Sequence, residues 1–215
     1  MNDFDPVNLA FVLALLALVP VMLIVTTSFL KIAVVLAIVR NALGIQQVPP
    51  NMVLYALALI LSMFIMAPVG NTMWMAMEAQ PGDLSTVDGL MDAIQVGADP
   101  LRSFLVAHSG VEHRGFFLHT AQRLWGPEMS ARLNEQNLLV LIPAFLVSEL
   151  TEAFRIGFLL YLPFVIIDLV VSNILLAMGM MMVSPMTISL PFKLFLFVLV
   201  DGWSRLIQGL VLSYA

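Results

Sequence analysis

Two long stretches without a charged residue dominate this sequence. Residues 6–30 and 41–77 cover 25 and 37 positions, and neither stretch contains Asp, Glu, Lys or Arg. At about 1.5 Å per residue, a helix over the shorter stretch reaches about 37 Å, enough to cross a hydrocarbon core of about 30 Å. Apolar residues make up 61% of the chain and charged residues 11%, whereas soluble domains have about 45–50% and about 25%. These features predict an all-α membrane protein and argue against an ordinary soluble domain.

The charges concentrate in one part of the chain. Twelve of them lie between Glu78 and Glu135, interrupted by Gly and Pro residues that predict short helices near 84–96, 99–108, 115–124 and 128–137. The chain therefore divides into an apolar helical hairpin (1–77), a polar helical insert (78–137) and a second apolar segment (138–215). Lys31 and Arg40 mark residues 31–50 as a cytoplasmic turn by the positive-inside rule, which puts the insert on the periplasmic side in a bacterium.

The chain start has no basic region of the kind that precedes a cleaved signal peptide. We therefore expect the first apolar stretch to be a retained anchor. In the third segment, hydropathy predicts helices over 138–162 and 164–183, a break at Ser184-Pro185, and a last helix from about Pro191.

The third segment also carries charges among its apolar residues. Glu149, Glu152 and Arg155 follow an i, i+3, i+6 spacing that puts them on one face of a helix. Each charge at a bilayer centre costs roughly 2.5–3.5 kcal/mol, so these side chains must pair, face water or be covered by other subunits. We predict that Glu149 pairs with Lys193. The remaining charges of the segment, which we expect to be structural, are Asp168, Asp201 and Arg205, and we predict a pair between the last two.

Methionine is unusually frequent, with 15 residues, of which five fall within 178–186. Methionine side chains are flexible and pack against irregular or changing surfaces, so this run suits either ordinary membrane core or a loop that closes a pore. Nothing in the sequence has the pattern of a catalytic, metal or cofactor site, and nine Lys and Arg residues in a chain of net charge −5 argue against nucleic-acid binding. We predict no enzyme activity and no cofactor.

Two motifs in the third segment are specific. PAFLVSELTEAFRIGF at 143–158 and PFKLFLFVLVDGW at 191–203 resemble the signatures of the FliP/SctR family, the export-gate proteins of type III secretion systems and bacterial flagella. TSFLKI at 27–32 and the Met180–Met182 run also resemble that family. Flagellar members usually begin with a cleavable signal sequence, so the resemblance favours a virulence-type (SctR) member.

The resemblance implies a fold, partners and residue roles. Family members form a pentameric helical spiral with S-type and T-type export subunits in the bacterial inner membrane, and unfolded substrate proteins pass through this portal. The methionine gasket of the closed channel corresponds to Met180, Met181 and Met182. An ion pair supporting the assembly corresponds to Glu149 and Lys193. We expect these two residues, together with Glu152 and Arg155, to form ion pairs between subunits and hold the subunits in register.

One alternative stays open at the level of sequence. A small-solute or proton transporter could use Glu149, Glu152, Arg155 and Asp168 as a relay across the membrane. It predicts transport by this chain alone, whereas a portal subunit requires its partners.

Overall fold

The computed structural model describes residues 6–45, 48–79, 87–131 and 133–215. Within these ranges the chain is all-helical and contains no strand, as predicted. The helices, numbered in chain order, are α1 Pro6–Thr26, α2 Phe29–Ala42, α3 Asn51–Glu78, α4 Val87–His108, α5 Val111–Leu124, α6 Gly126–Ser130, α7 Leu138–Ala177, α8 Pro185–Leu199 and α9 Gly202–Leu212.

The first apolar stretch is interrupted before its predicted end. The hydroxyls of Thr26 and Thr27 donate to the carbonyls of Met22 and Leu23 at 2.6 and 2.5 Å. Such back-bonding to position i−4 competes with the regular ladder and often bends a helix. The chain then re-enters a helix at Phe29. The predicted cytoplasmic turn over 31–50 is therefore wrong in extent, because Lys31 and Arg40 belong to α2.

The helices of the insert differ from the prediction at three places. Helix α4 continues through Pro100, which joins the predicted helices 84–96 and 99–108 into one, although residues 84–86 lie outside the described part. Helix α5 begins at Val111, four residues before its predicted start. The helix predicted over 128–137 is reduced to α6, because the Asn134 and Asn137 side chains accept hydrogen bonds from the amides of Gln136 and Leu139 and favour turns.

The third segment has three helices, as predicted, but their breaks lie elsewhere, and the last predicted helix is divided between Leu199 and Gly202. Helix α7 runs for 40 residues through Pro163, where a break was expected. Proline removes one backbone hydrogen bond, but helices in apolar surroundings tolerate it when neighbouring groups compensate. Helix α8 starts at Pro185 and continues through Pro191, so its predicted start was also too late. The second apolar helix, predicted over 51–77, is confirmed by α3.

The chain forms two compact units that cut across the three predicted segments. The first comprises residues 1–30 and 69–146, and the second comprises 31–68 and 147–215. In the first unit Leu105 and Phe145 are fully buried, and the Phe104 and Phe145 rings lie 5.9 Å apart. In the second unit Ile32 and Leu36 of α2 and Ala153 of α7 are fully buried.

Two of the described helices are long and apolar enough to cross a membrane. They are Asn51–Ala79 and Leu138–Ala177, and two bent pairs, Pro20–Thr26 with Phe29–Ala42 and Pro185–Leu199 with Gly202–Leu212, raise the number to as many as four. Only 17% of the most apolar window in each long helix is buried within the chain. Most of this apolar surface must therefore be covered by lipid or by other protein.

Candidate functional site

One buried cluster of polar side chains, which we term the Lys31 cluster, consists of Lys31, Glu149 and Tyr214 in the second unit. The Lys31 Nζ lies 3.3 Å from the Glu149 Oε1, and both side chains are only 3% exposed. The Tyr214 hydroxyl donates a hydrogen bond to the other carboxylate oxygen, Oε2. The Nζ also lies 3.6 Å from the centroid of the Tyr214 ring, within the range of a cation–π interaction. The cluster ties α2, α7 and the residues after α9 together.

A separate cluster, the Asp168 cluster, consists of Asp168, Ser189 and Lys193. The Lys193 Nζ lies 2.6 Å from the Asp168 Oδ2, and the Ser189 hydroxyl donates to Oδ1 at 2.5 Å. Ser189 and Lys193 are four residues apart in α8 and therefore share a face. The Lys193 Nζ also donates to the carbonyl of Ala42 at the C-terminus of α2, at 3.2 Å. A cation is favoured there because the last carbonyls of a helix lack helical partners.

The predicted pair of Glu149 with Lys193 does not form within one chain. Each of these buried residues has another partner, Lys31 for Glu149 and Asp168 for Lys193. The sequence did not identify Lys31 as the partner of Glu149, because Lys31 was placed in a turn rather than in a helix beside α7. A pair between Glu149 of one subunit and Lys193 of a neighbour stays a prediction. Both clusters pair their buried charges within the chain, which is one of the three arrangements expected for them.

The predicted pair between Asp201 and Arg205 is also corrected. Asp201 separates α8 from α9 with a left-handed backbone, φ 54°. Its carboxylate accepts a hydrogen bond from the Ser204 hydroxyl at 3.0 Å, and its carbonyl accepts one from the Arg205 amide at 3.1 Å. Asp201 therefore shapes the junction between two helices rather than neutralising a charge.

Glu152 and Arg155 form an ion pair near the Lys31 cluster. The Arg155 Nη2 lies 2.9 Å from the Glu152 Oε1, with side chains 71% and 35% exposed, respectively. Glu152 also acts electrostatically on Lys31 and on Glu149. The predicted common face of Glu149, Glu152 and Arg155 on one helix is confirmed by their place in α7.

The three predicted gasket residues lie in the loop between α7 and α8. Helix α7 ends at Ala177, and Gly179 just beyond it has φ 74°. The Met180 amide donates to the Leu175 carbonyl at 2.9 Å, and the Gly179 amide donates to the Leu176 carbonyl at 3.0 Å. These two bonds form a Schellman motif, a common helix ending that requires a left-handed residue. Met181 is 83% exposed and Met182 is fully exposed. The loop therefore presents thioether side chains outward.

Sequence reasoning missed three residues of these clusters. Lys31 was noted as part of the TSFLKI motif and as a charge of the cytoplasmic turn, and Ser189 and Tyr214 were given no role. The spacing of Ser189 and Lys193 is a usable signal, because i, i+4 residues share a helix face. No local pattern identifies Tyr214, whose partners are distant in sequence.

The fold and the clusters define a class: a helical membrane protein with internally paired buried charges and a largely uncovered apolar surface. Among the described residues, no three His, Asp or Glu side chains are arranged to hold a metal ion. The sequence profile of the FliP family matches residues 12–210. The chain belongs to the FliP family.

Comparison with individual relatives identifies the subgroup of the family to which the chain is most similar. The chain is 54% identical over 210 residues to "Yop proteins translocation protein R" of Yersinia pestis, covering 98% of this chain and 97% of that protein. It is 50% identical to "Harpin secretion protein HrcR" of Erwinia amylovora, covering 99% and 98%. It is 48% identical to "Virulence protein YscR" of Salmonella typhimurium, covering 98% of each. These are SctR-type members, components of the type III secretion apparatus, so the resemblance found in the sequence is confirmed. The family and the apolar helices assign the chain to the bacterial inner membrane.

Proposed function

We propose that this protein is a core subunit of the type III export gate and forms part of the portal for unfolded substrate proteins. The observation that carries the proposal is the outward-facing Met180–Met182 loop in a chain of this family. In this proposal the chain assembles as a homo-oligomer, a pentamer by family resemblance, with S-type and T-type subunits in a helical spiral. The polar insert, residues 78–137, lies on the periplasmic side.

The methionine loop is suited to close a channel that must also open. Methionine side chains are unbranched and polarizable, so loops from several subunits can pack together without a fixed complementary shape. A constriction lined by apolar groups excludes water and ions. The same side chains can rearrange around a passing polypeptide of variable sequence. The Schellman ending at Gly179 fixes where α7 stops and the loop begins.

The charged residues have two roles in the proposal. The Lys31 and Asp168 clusters hold α2, α7, α8 and the residues after α9 in one arrangement within each subunit. Glu149 and Lys193 therefore support the assembly by fixing the shape of the subunit. Glu152 and Arg155, which are partly and largely exposed, are available to contact a neighbouring subunit and set its register.

Conductance of the purified assembly in planar bilayers tests the gasket. Replacing Met180, Met181 and Met182 together with alanine is expected to produce ion leakage without loss of the assembled complex. A matched control replaces Met52, Met63 and Met75 of α3, which are also exposed, and should leave the channel closed. A tight channel in the triple loop variant contradicts the proposed gasket.

The transporter alternative makes the opposite prediction for the isolated chain. A relay through Glu149, Glu152, Arg155 and Asp168 would move protons or solute in liposomes containing this protein alone. The export-gate proposal expects no such flux without partner subunits. Flux from the chain alone, abolished by Asp168→Asn, would favour the transporter.

A further inference from the structure

Tyr214 has contacts that the proposed channel role does not require. It lies beyond α9, where its amide donates to the Val211 carbonyl at 3.2 Å and continues the helical turn. Its hydroxyl donates to Glu149 and its ring faces the ammonium of Lys31. We infer that Tyr214 is the positioning residue of the buried Lys31–Glu149 pair, and that this contact latches the end of α9 to α2 and α7.

The hydroxyl completes the hydrogen bonding of the carboxylate. The Lys31 ammonium donates a hydrogen bond to the Glu149 Oε1, and the Tyr214 hydroxyl donates one to Oε2. Without Tyr214, Oε2 would lose this donor. A buried charged group that lacks such a donor is strongly destabilised. Burial raises the pKa of the Tyr214 hydroxyl above its ordinary value, so the phenol keeps the proton that it donates. A phenol supplies this donor without adding a further charge to the cluster.

The ring has a separate task at the cation. An ammonium over an aromatic face is attracted by the negative quadrupole of the ring, and the attraction strengthens when water is excluded. At 3.6 Å from the centroid, the Lys31 Nζ is close to the ring while it also contacts the carboxylate. Tyr214 therefore satisfies the anion with its hydroxyl and covers the cation with its ring.

These contacts determine where the end of α9 lies. The buried face of α9 contributes Leu206 and Leu210, both nearly inaccessible to solvent. The Ser213 hydroxyl donates to the Leu210 carbonyl at 2.7 Å, which extends the ordered backbone toward Tyr214. The latch adds a specific polar anchor to this apolar packing, so its loss should loosen α9 more than it loosens distant helices.

Substitutions in the full chain, extracted in detergent, separate the hydroxyl from the ring. Tyr214→Phe keeps the ring and should lower the thermal midpoint by about 3–10 °C, as expected for a hydrogen bond to a charged group. Tyr214→Leu removes both contacts and should lower it further. Tyr161→Phe, at a partly exposed position on α7, is the control and should leave the midpoint unchanged.

Tyr214→Phe in a background without the Lys31 and Glu149 charges distinguishes a positioning role of the hydroxyl from simple packing of the ring. In a Lys31→Met, Glu149→Leu background the hydroxyl has no carboxylate to serve, so Tyr214→Phe should no longer lower the midpoint. An equal fall in both backgrounds would overturn the inference and leave Tyr214 as a packing residue.

Hydrogen exchange gives a readout that does not depend on that background. In Tyr214→Phe, amides of α9 should exchange at least about tenfold faster than in the unsubstituted chain, while those of α3 keep their rates. Unchanged exchange in α9, or an equal increase in both helices, would contradict the latch. Neither result bears on the gasket, because conductance is not measured.

Discussion

Gly157 explains at the scale of one residue why α2 and α7 can lie close together. A Cβ added at this position would come within 2.5 Å of the Ile38 Cδ1 and 3.2 Å of the Ile38 Cβ. Glycine inside a helix costs about 0.5–1 kcal/mol relative to alanine, so its presence in the middle of α7 needs a compensating gain. The gain is close packing of α2 against α7, which also brings Lys31 to Glu149.

Gly157→Ala is therefore expected to destabilise the chain. Overpacking of this kind costs about 1–3 kcal/mol, measured as the free energy of unfolding in denaturant with detergent present. Gly209→Ala on α9 is the matched control, because nothing lies within 4 Å of an added Cβ. The control should be neutral or gain up to about 1 kcal/mol from higher helix propensity. Equal stability of the two variants would show that α2 does not approach α7 at Gly157.

The ion-pair partners can be assigned by double-mutant cycles. Breaking a buried pair costs about 3–5 kcal/mol because one charge is left uncompensated. Glu149→Gln and Lys31→Gln should therefore be strongly non-additive in unfolding free energy. Glu149→Gln and Lys193→Gln should be nearly additive, and reversing the charges at 149 and 193 together should not restore stability. Strong coupling between 149 and 193 would contradict the intrachain pairing.

The sequence predicts which charges in the third segment are costly, but it does not identify all their partners. Glu149, Asp168 and Lys193 stand out because they interrupt apolar runs. Lys31 follows the first charge-free stretch and looks like the start of a cytoplasmic turn. Its place in α2 depends on the break at Thr27-Ser28, where side-chain hydroxyls bond to the preceding helical turn. A hydropathy pattern does not register that kind of break.

At the scale of elements, hydropathy predicts that helices exist better than it predicts where they end. It places α3 within a residue of its observed bounds but divides α7 at Pro163 and starts α8 too late, at Pro191. Proline was read as a boundary, although a helix with apolar neighbours can continue through it. The reliable marker for the end of α7 is Gly179, whose positive φ favours glycine.

Gly179→Ala should move or fray the end of α7 and displace the methionine loop. A residue with a Cβ costs roughly 1–2 kcal/mol in the left-handed conformation. Faster hydrogen exchange over the last turn of α7, together with ion leakage through the assembly, is the expected result. Gly70→Ala in α3, where an added Cβ meets no atom within 4 Å, should change neither. Leakage in both variants, or in neither, would show that the position at which α7 ends does not determine whether the channel closes.

At the scale of the whole molecule, the uncovered apolar surface and the paired interior charges fit a subunit of a larger membrane assembly. Large exposed apolar side chains lie along α3 and α7, among them Phe64 and Phe158. Composition alone predicts the membrane class, and the two motifs predict the family. The number and identity of neighbouring subunits are not encoded in any local pattern, because they depend on complementarity between surfaces of different chains.

The mass of the complex extracted from membranes with its neighbouring gene products, measured by native mass spectrometry, tests the central claim most directly. A subunit of the export gate should appear as a complex holding several copies of this chain, five by family resemblance, together with the S-type and T-type subunits. A stable, dispersed monomer carrying only detergent and lipid would contradict the account.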